Sequence, residues 1–189
     1  MKKVIIGFCI ALAAAAAFAQ EQAADGTVQQ PKPASEKAAW PVWVTFNSTR
    51  DIDVIGLRMT LPYGSCESIT GFDVGFFGRC RYFEGAQLNI LRNDVSDIMA
   101  GGQMGIYNSS GRADLMGVQI GLWNEAHSIR GVQIGLINVA DSVTGIQFGI
   151  INRSEALYGF QGGIVNVIRE SEMPFCPILN IGFDTFTEP

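Results

Sequence analysis

The segments GVQIGLWN (117–124), GVQIGLIN (131–138), GIQFGIIN (145–152) and GFQGGIVN (159–166) recur at a strict spacing of fourteen residues. Weaker copies precede them: GGQMGIYN at 101–108, GAQLNILR at 85–92, GFDVGFFG at 71–78 and GLRMTLPY at 56–63. A decayed copy, MPFCPILN, follows at 173–180. The starts are 14 to 16 residues apart throughout, and units of nearly one length in one register mean stacked supersecondary elements, each burying its surface against the next.

Within the unit, position 1 is Gly, position 3 Gln and position 8 Asn, while positions 2, 4 and 6 are apolar. Alternation with a period of two is the mark of a strand. It predicts that the apolar positions, Ile134 and Leu136 among them, face a stacked core, with Gly and Gln on the opposite face. Asn at position 8 suits a corner, because it tolerates left-handed backbone and bonds its own turn. The remaining residues hold a second short extended piece. Its apolar member, two residues before each new Gly (Ile69, Phe83, Met99, Leu115, Ile129, Val143, Leu157), points back inside.

Two all-β architectures accept such a unit. In a β-solenoid of about 14-residue coils, identical positions stack about 4.8 Å apart, and the Gln and Asn side chains bond their own kind in adjacent coils. In a small antiparallel barrel of outer-membrane type, each unit is a strand and a turn, with apolar residues toward lipid. Successive barrel strands run in opposite directions, so their ends should differ alternately. The five units from 101 to 166 all keep Gly first and Asn eighth, with no odd–even difference, which favours the solenoid.

The solenoid reading carries two site expectations. Cys66 and Cys80 are fourteen apart and fall in one column of neighbouring coils. A separation near 4.8 Å lies inside the ~4.4–6.8 Å Cα range of a disulfide, so the two are expected to be bonded. Cys176, at position 4, is expected to be a buried free thiol. The second site is a flat contact face: Gln119, Gln133, Gln147 and Gln161 in one exposed ladder, beside Gly121, Gly135, Gly149 and Gly163, whose lack of side chains admits another surface.

Outside the repeats the chain divides as follows. Residues 1–19 read as a signal peptide: a basic start at Lys2 and Lys3, an apolar run of Val4–Ala17, and a small-x-small cleavage site ending at Ala19. The apolar run falls short of the ~20 residues of a membrane span. Phe8 precedes Cys9 where a lipobox requires a small residue. Residues 20–39, polar and rich in Ala, Gln and Pro, read as a flexible linker. Residues 40–55 are expected to form a cap strand, 56–180 the repeats, and 181–189 a terminal strand or tail.

Of 189 residues, 48 % are hydrophobic and 16 % charged, and the net charge is −5. So acidic a chain has little to displace counterions from phosphates, so nucleic acid is not an expected partner. The single histidine, His127, reads as a solvated loop residue; a triad with Ser128 and Asp141 would need groups that sequence neighbours do not supply. Asp114, Glu125, Asp141 and Glu155 fall in successive loops, but without a spaced calcium-binding signature they read as an acidic edge. Gly101–Gly105 lacks the Lys and Ser/Thr of a phosphate loop. Trp123 and Tyr107 share position 7 and read as corner packing. No catalytic set, metal site or cofactor motif emerges.

The tandem G-[VIF]-Q-[IF]-G-[LI]-x-N units and the closing Pro174–Asn180 segment resemble bacterial surface-repeat proteins built of GLQIGLVN-type units, over about Val54–Phe183. The resemblance implies an exported protein of the cell envelope or surface, with no activity to carry over. The expectation is therefore a non-enzymatic protein of structural or interaction role, located in the periplasm, outer membrane or cell surface. Its partners would be an envelope component, a second copy or a membrane surface. An outer-membrane barrel is the alternative, followed by a carbohydrate binder or solenoid enzyme.

Overall fold

A computed structural model describes residues 40–49 and 53–183. The expected leader and linker lie outside the described residues, as does the tail beyond Phe183. The fold is all-β. Strand β1 (Trp40–Thr49) is followed by β2 (Asp53–Ile134), a continuous extended path winding through the early coils. Strands β3 (Ile137–Phe148) and β4 (Ile151–Ile168) complete the winding, and β5 (Phe175–Phe183) closes it.

Coils pair in parallel and in the register of the repeat. Gly131 stands on Gly145 and Gly145 on Gly159; Gln133, Gln147 and Gln161 form one column and Asn138 and Asn152 another. β1 joins the same sheet in parallel, with Val42, Val44 and Phe46 beside Leu57, Met59 and Leu61. The chain is thus a β-solenoid. Parallel neighbours set aside the antiparallel barrel, whose adjacent strands must alternate in direction.

The last expected unit is corrected. Residues 173–180 do not make another parallel coil: β5 runs antiparallel to β4, pairing Gly159 with Gly182 and Gln161 with Asn180. This reversal stops the parallel stacking while still supplying backbone partners to the last coil. Cys176 lies on this strand, half-buried, and not in a stacked core.

Position 1 needs glycine twice over. From Gly56 to Gly159 these residues hold φ between 125° and 146°, a region that side chains rarely occupy. A Cβ at Gly131 would also lie 2.0 Å from the Gly117 carbonyl oxygen of the coil below. The glycines therefore set both the corner and the closeness of the stack.

The interior inverts the expected facing. The apolar column two residues before each Gly is inside as expected: Ile69, Met99, Leu115, Ile129, Val143 and Leu157 are buried. Opposite it, the interior is amide. Gln87, Gln103, Gln119, Gln133, Gln147 and Gln161 are fully buried, as are Asn108, Asn124, Asn138, Asn152 and Asn166. The apolar positions 4 and 6 point out: Ile134 is 42 % exposed, Leu136 47 % and Phe148 63 %.

Burial of so many amides is stable only because repetition supplies each with a partner. The Gln133 Nε2 donates to Gln119 Oε1 at 2.8 Å, and the Gln133 Oε1 accepts from Gln147 Nε2 at 2.7 Å. The Asn column runs the other way: Asn124 Nδ2 donates to Asn138 Oδ1 at 2.8 Å and Asn138 Nδ2 to Asn152 Oδ1 at 2.8 Å. Glutamine donors point toward the N-terminal end and asparagine donors toward the C-terminal end, so the amide dipoles of the two columns oppose each other. The second N–H of each Asn also binds backbone, as Asn138 does to the Phe148 carbonyl at 3.0 Å.

Candidate functional site

The expected contact face must be moved to the other side of the strand. Gln119, Gln133, Gln147 and Gln161 do form one ladder, but it is buried. Gly121, Gly135, Gly149 and Gly163 face inward too. A Cβ at Gly135 would lie 2.5 Å from the Gly121 carbonyl oxygen and 2.6 Å from Asn124 Nδ2. These glycines make room for the asparagine column. Their backbone, not a side-chain-free outer surface, is what the exterior sees.

What the exterior presents is apolar. Positions 4 and 6 project outward on either side of the position-5 glycines, forming two ridges with a backbone floor between them. They line a groove of about 960 Å³ that runs past Ile90, Met104, Ile106, Leu122, Ile134, Leu136, Phe148 and Ile150. The same face continues at both ends. Val42, Val44 and Phe46 extend it on β1, and Leu179 and Ile181, which pair with Gly162 and Phe160, on β5; all five are exposed. Scattered exposed apolar residues are ordinary, whereas a contiguous apolar face of this kind is not.

The two cysteines share a column but stand as free thiols, both buried, so the expected disulfide is not made. Arg58, itself buried, places its guanidinium against this pair: Nη1 donates to Cys66 Sγ at 3.0 Å, while Nε and Nη2 grip Asp73 at 2.7 Å each. Burial pushes the Cys80 thiol well above the ordinary cysteine value, and its hydrogen bond with Cys66 adds to this. Burial leaves an oxidant no open approach to either sulfur.

Arg58 and Asp73 occupy position 3 of the first two units, so they are the first two members of the glutamine column. Asp73 Oδ2 accepts from Gln87 Nε2 at 2.9 Å and from Asn89 Nδ2 at 2.8 Å. The ladder therefore begins on a carboxylate, and Arg58 balances its charge. Burial opposes the Arg58 charge, yet the hydrogen bonds and charge of Asp73 hold its pKa above the ordinary value. Sequence reasoning passed over this pair, although opposite charges in adjacent rows of one column were the available signal.

The loop residues are engaged singly. His127 Nδ1 lies 2.7 Å from Asp141 Oδ2 in the next coil, both exposed, and Ser128 does not join them. Glu155 pairs with Arg169, and Tyr107 donates to Glu125. Burial and that hydrogen bond raise the Tyr107 pKa. Tyr107 packs on Trp123 with ring centroids 6.4 Å apart, and Arg92 lies over its ring at 5.0 Å. Among the described residues no group of three His, Cys, Asp or Glu side chains is arranged to hold a metal ion. Among the described residues no helix is long and apolar enough to cross a membrane.

No protein-family model, curated protein or solved structure matches the chain. The architecture is therefore read from its own geometry.

Proposed function

We propose that the chain is an exported, non-enzymatic repeat module of the bacterial cell envelope or surface, kin to the surface-repeat proteins of GLQIGLVN type, and that it works by docking through its apolar face. The observation that carries this reading is the outward direction of positions 4 and 6 over successive coils, flanked by exposed Val44 and Phe46 on β1 and Ile181 on β5. A stable interior of amide ladders leaves that face free for a partner, because the fold does not need it for its own core.

Cell fractionation tests the proposal. The protein is expected in the envelope or the culture fluid with Gln20 as its first residue. The variant Leu136→Lys, exported equally well, is expected to shift from envelope-associated to freely soluble. Retention in the cytoplasm with residues 1–19 intact would refute the export reading, and unchanged envelope association of the variant would refute docking through this face.

A further inference from the structure

The occupant of the apolar face can be argued from its size, relief and charge. We infer that it is a second copy of this chain, packed face to face through the ridges and groove of positions 4 and 6. The inference rests on the docking reading above and supplies its partner.

Size is the first argument. The face runs from β1 across the coils to β5, with strands about 4.8 Å apart and residues about 3.3 Å apart along each strand. About nine coil heights make it about 40 Å long, and outward positions 2, 4 and 6, about 13 Å of strand plus the breadth of their side chains, make it about 20 Å wide, on the order of 800 Å² in footprint. That exceeds the ~300–600 Å² of the largest apolar patch on a typical monomer. It matches the ~800 Å² that each partner contributes to a stable interface of standard size.

Relief is the second. The groove lies between the Ile134–Phe148 ridge and the Leu122–Leu136–Ile150 ridge, with Gly135 in its floor. A ridge beside a groove of the same repeat is self-complementary. When two such faces meet about a two-fold axis, a ridge of each enters the groove of the other. Identical rows spaced at one coil height let the side chains interdigitate along the whole length, as in dry packing between paired sheets. A bilayer has no ridge to place in the groove.

Charge is the third. The chain carries a net charge of −5, which opposes approach to anionic headgroups. Like charge between two copies is kept off this face, since the residues that line its groove, Ile134, Leu136, Phe148 and Ile150 among them, include no charged side chain.

Sedimentation velocity of the purified protein in detergent-free buffer tests the inference. At micromolar concentration the mass of two chains is expected. Leu136→Lys and Phe148→Lys are each expected to weaken the dimer at least tenfold while leaving the far-ultraviolet spectrum unchanged, because both side chains point outward. A wild-type dimer that survives both substitutions overturns the inference by placing the contact elsewhere. A wild-type monomer overturns it as well, and vesicle flotation then separates the two readings. If the monomer floats with phosphatidylcholine vesicles and Leu136→Lys does not, the face docks to lipid and only the second copy is lost. If neither floats and both are retained equally in the envelope, the docking reading falls with it. Unfolding of both variants would also count against the inference, since it would place these side chains in the core.

Discussion

Replacing Gln133 with methionine keeps the side chain's length and apolar stem but removes both of its hydrogen-bonding ends. Two buried groups then lose their partners: Gln119 Oε1, which accepts from Gln133 at 2.8 Å, and Gln147 Nε2, which donates to it at 2.7 Å. An orphaned buried polar group costs about 1–3 kcal/mol, so the substitution should cost about 4 kcal/mol in all. For a domain of this size that lowers the melting temperature by about 12 °C. The double variant Gln119→Met with Gln133→Met orphans only the two groups at the ends of the gap, Gln103 Oε1 and Gln147 Nε2. It should therefore cost about as much as the single change, a strong departure from additivity. Gln161→Met takes the donor from two buried groups, Gln147 Oε1 at 2.7 Å and Ser154 Oγ at 3.0 Å, and should cost about as much as Gln133→Met, although Gln161 Oε1 has no partner to lose. Thermal and urea unfolding followed by circular dichroism measure all three. A Gln133→Met cost below about 0.5 kcal/mol, the range of an ordinary surface change, would refute the ladder energetics.

Gly131→Ala should cost more than about 3 kcal/mol or abolish folding, since its φ of 146° and the 2.0 Å approach to the Gly117 oxygen both forbid a side chain; Gly111→Ala, with its nearest neighbour at 3.6 Å, should be near neutral. Arg58→Met should cost about 3–5 kcal/mol by leaving the Asp73 carboxylate buried without its counter-ion, and chemical denaturation compares it with wild type. A thiol reagent added to the folded protein should label Cys176 but spare Cys66 and Cys80 until denaturant is added, as mass spectrometry of the labelled peptides would show. His127→Ala should change stability by less than about 1 kcal/mol, because its contact with Asp141 is solvent-exposed.

The repeat length, the parallel stack and the inward column of Ile129, Val143 and Leu157 were all legible in the sequence, because a fixed period and a period-two alternation translate directly into coils and faces. Which face is inside was not. The usual rule places Ile134 and Leu136 within and Gln133 without, and here it fails for a physical reason. Stacking identical coils puts an amide one coil height from another amide, so burial does not leave it unsatisfied. A signal was present. Positions 1, 3 and 5 share one face, and two of the three are glycine, which suits a tight interior better than an open surface. The asparagine register slips by one in the unit 85–92, where Asn93 and not Arg92 carries the column; the extra residue there hid it from alignment. The disulfide expectation failed differently. The two thiols do lie together, as the shared column implies, but both stay free and buried, and the Arg58 that bonds Cys66 comes from another position of the repeat.

The glutamines lie inside the coils and the apolar positions 4 and 6 outside. Hydrogen exchange of the glutamine side-chain amides, followed by nitrogen-15 NMR after transfer to deuterated buffer, tests this placement most directly. The Nε2 protons of Gln119, Gln133 and Gln147, each held by the coil below, are expected to persist for hours and to exchange only as the fold opens. Loss of all three within the first minutes, at the rate of a solvated amide, would contradict the account.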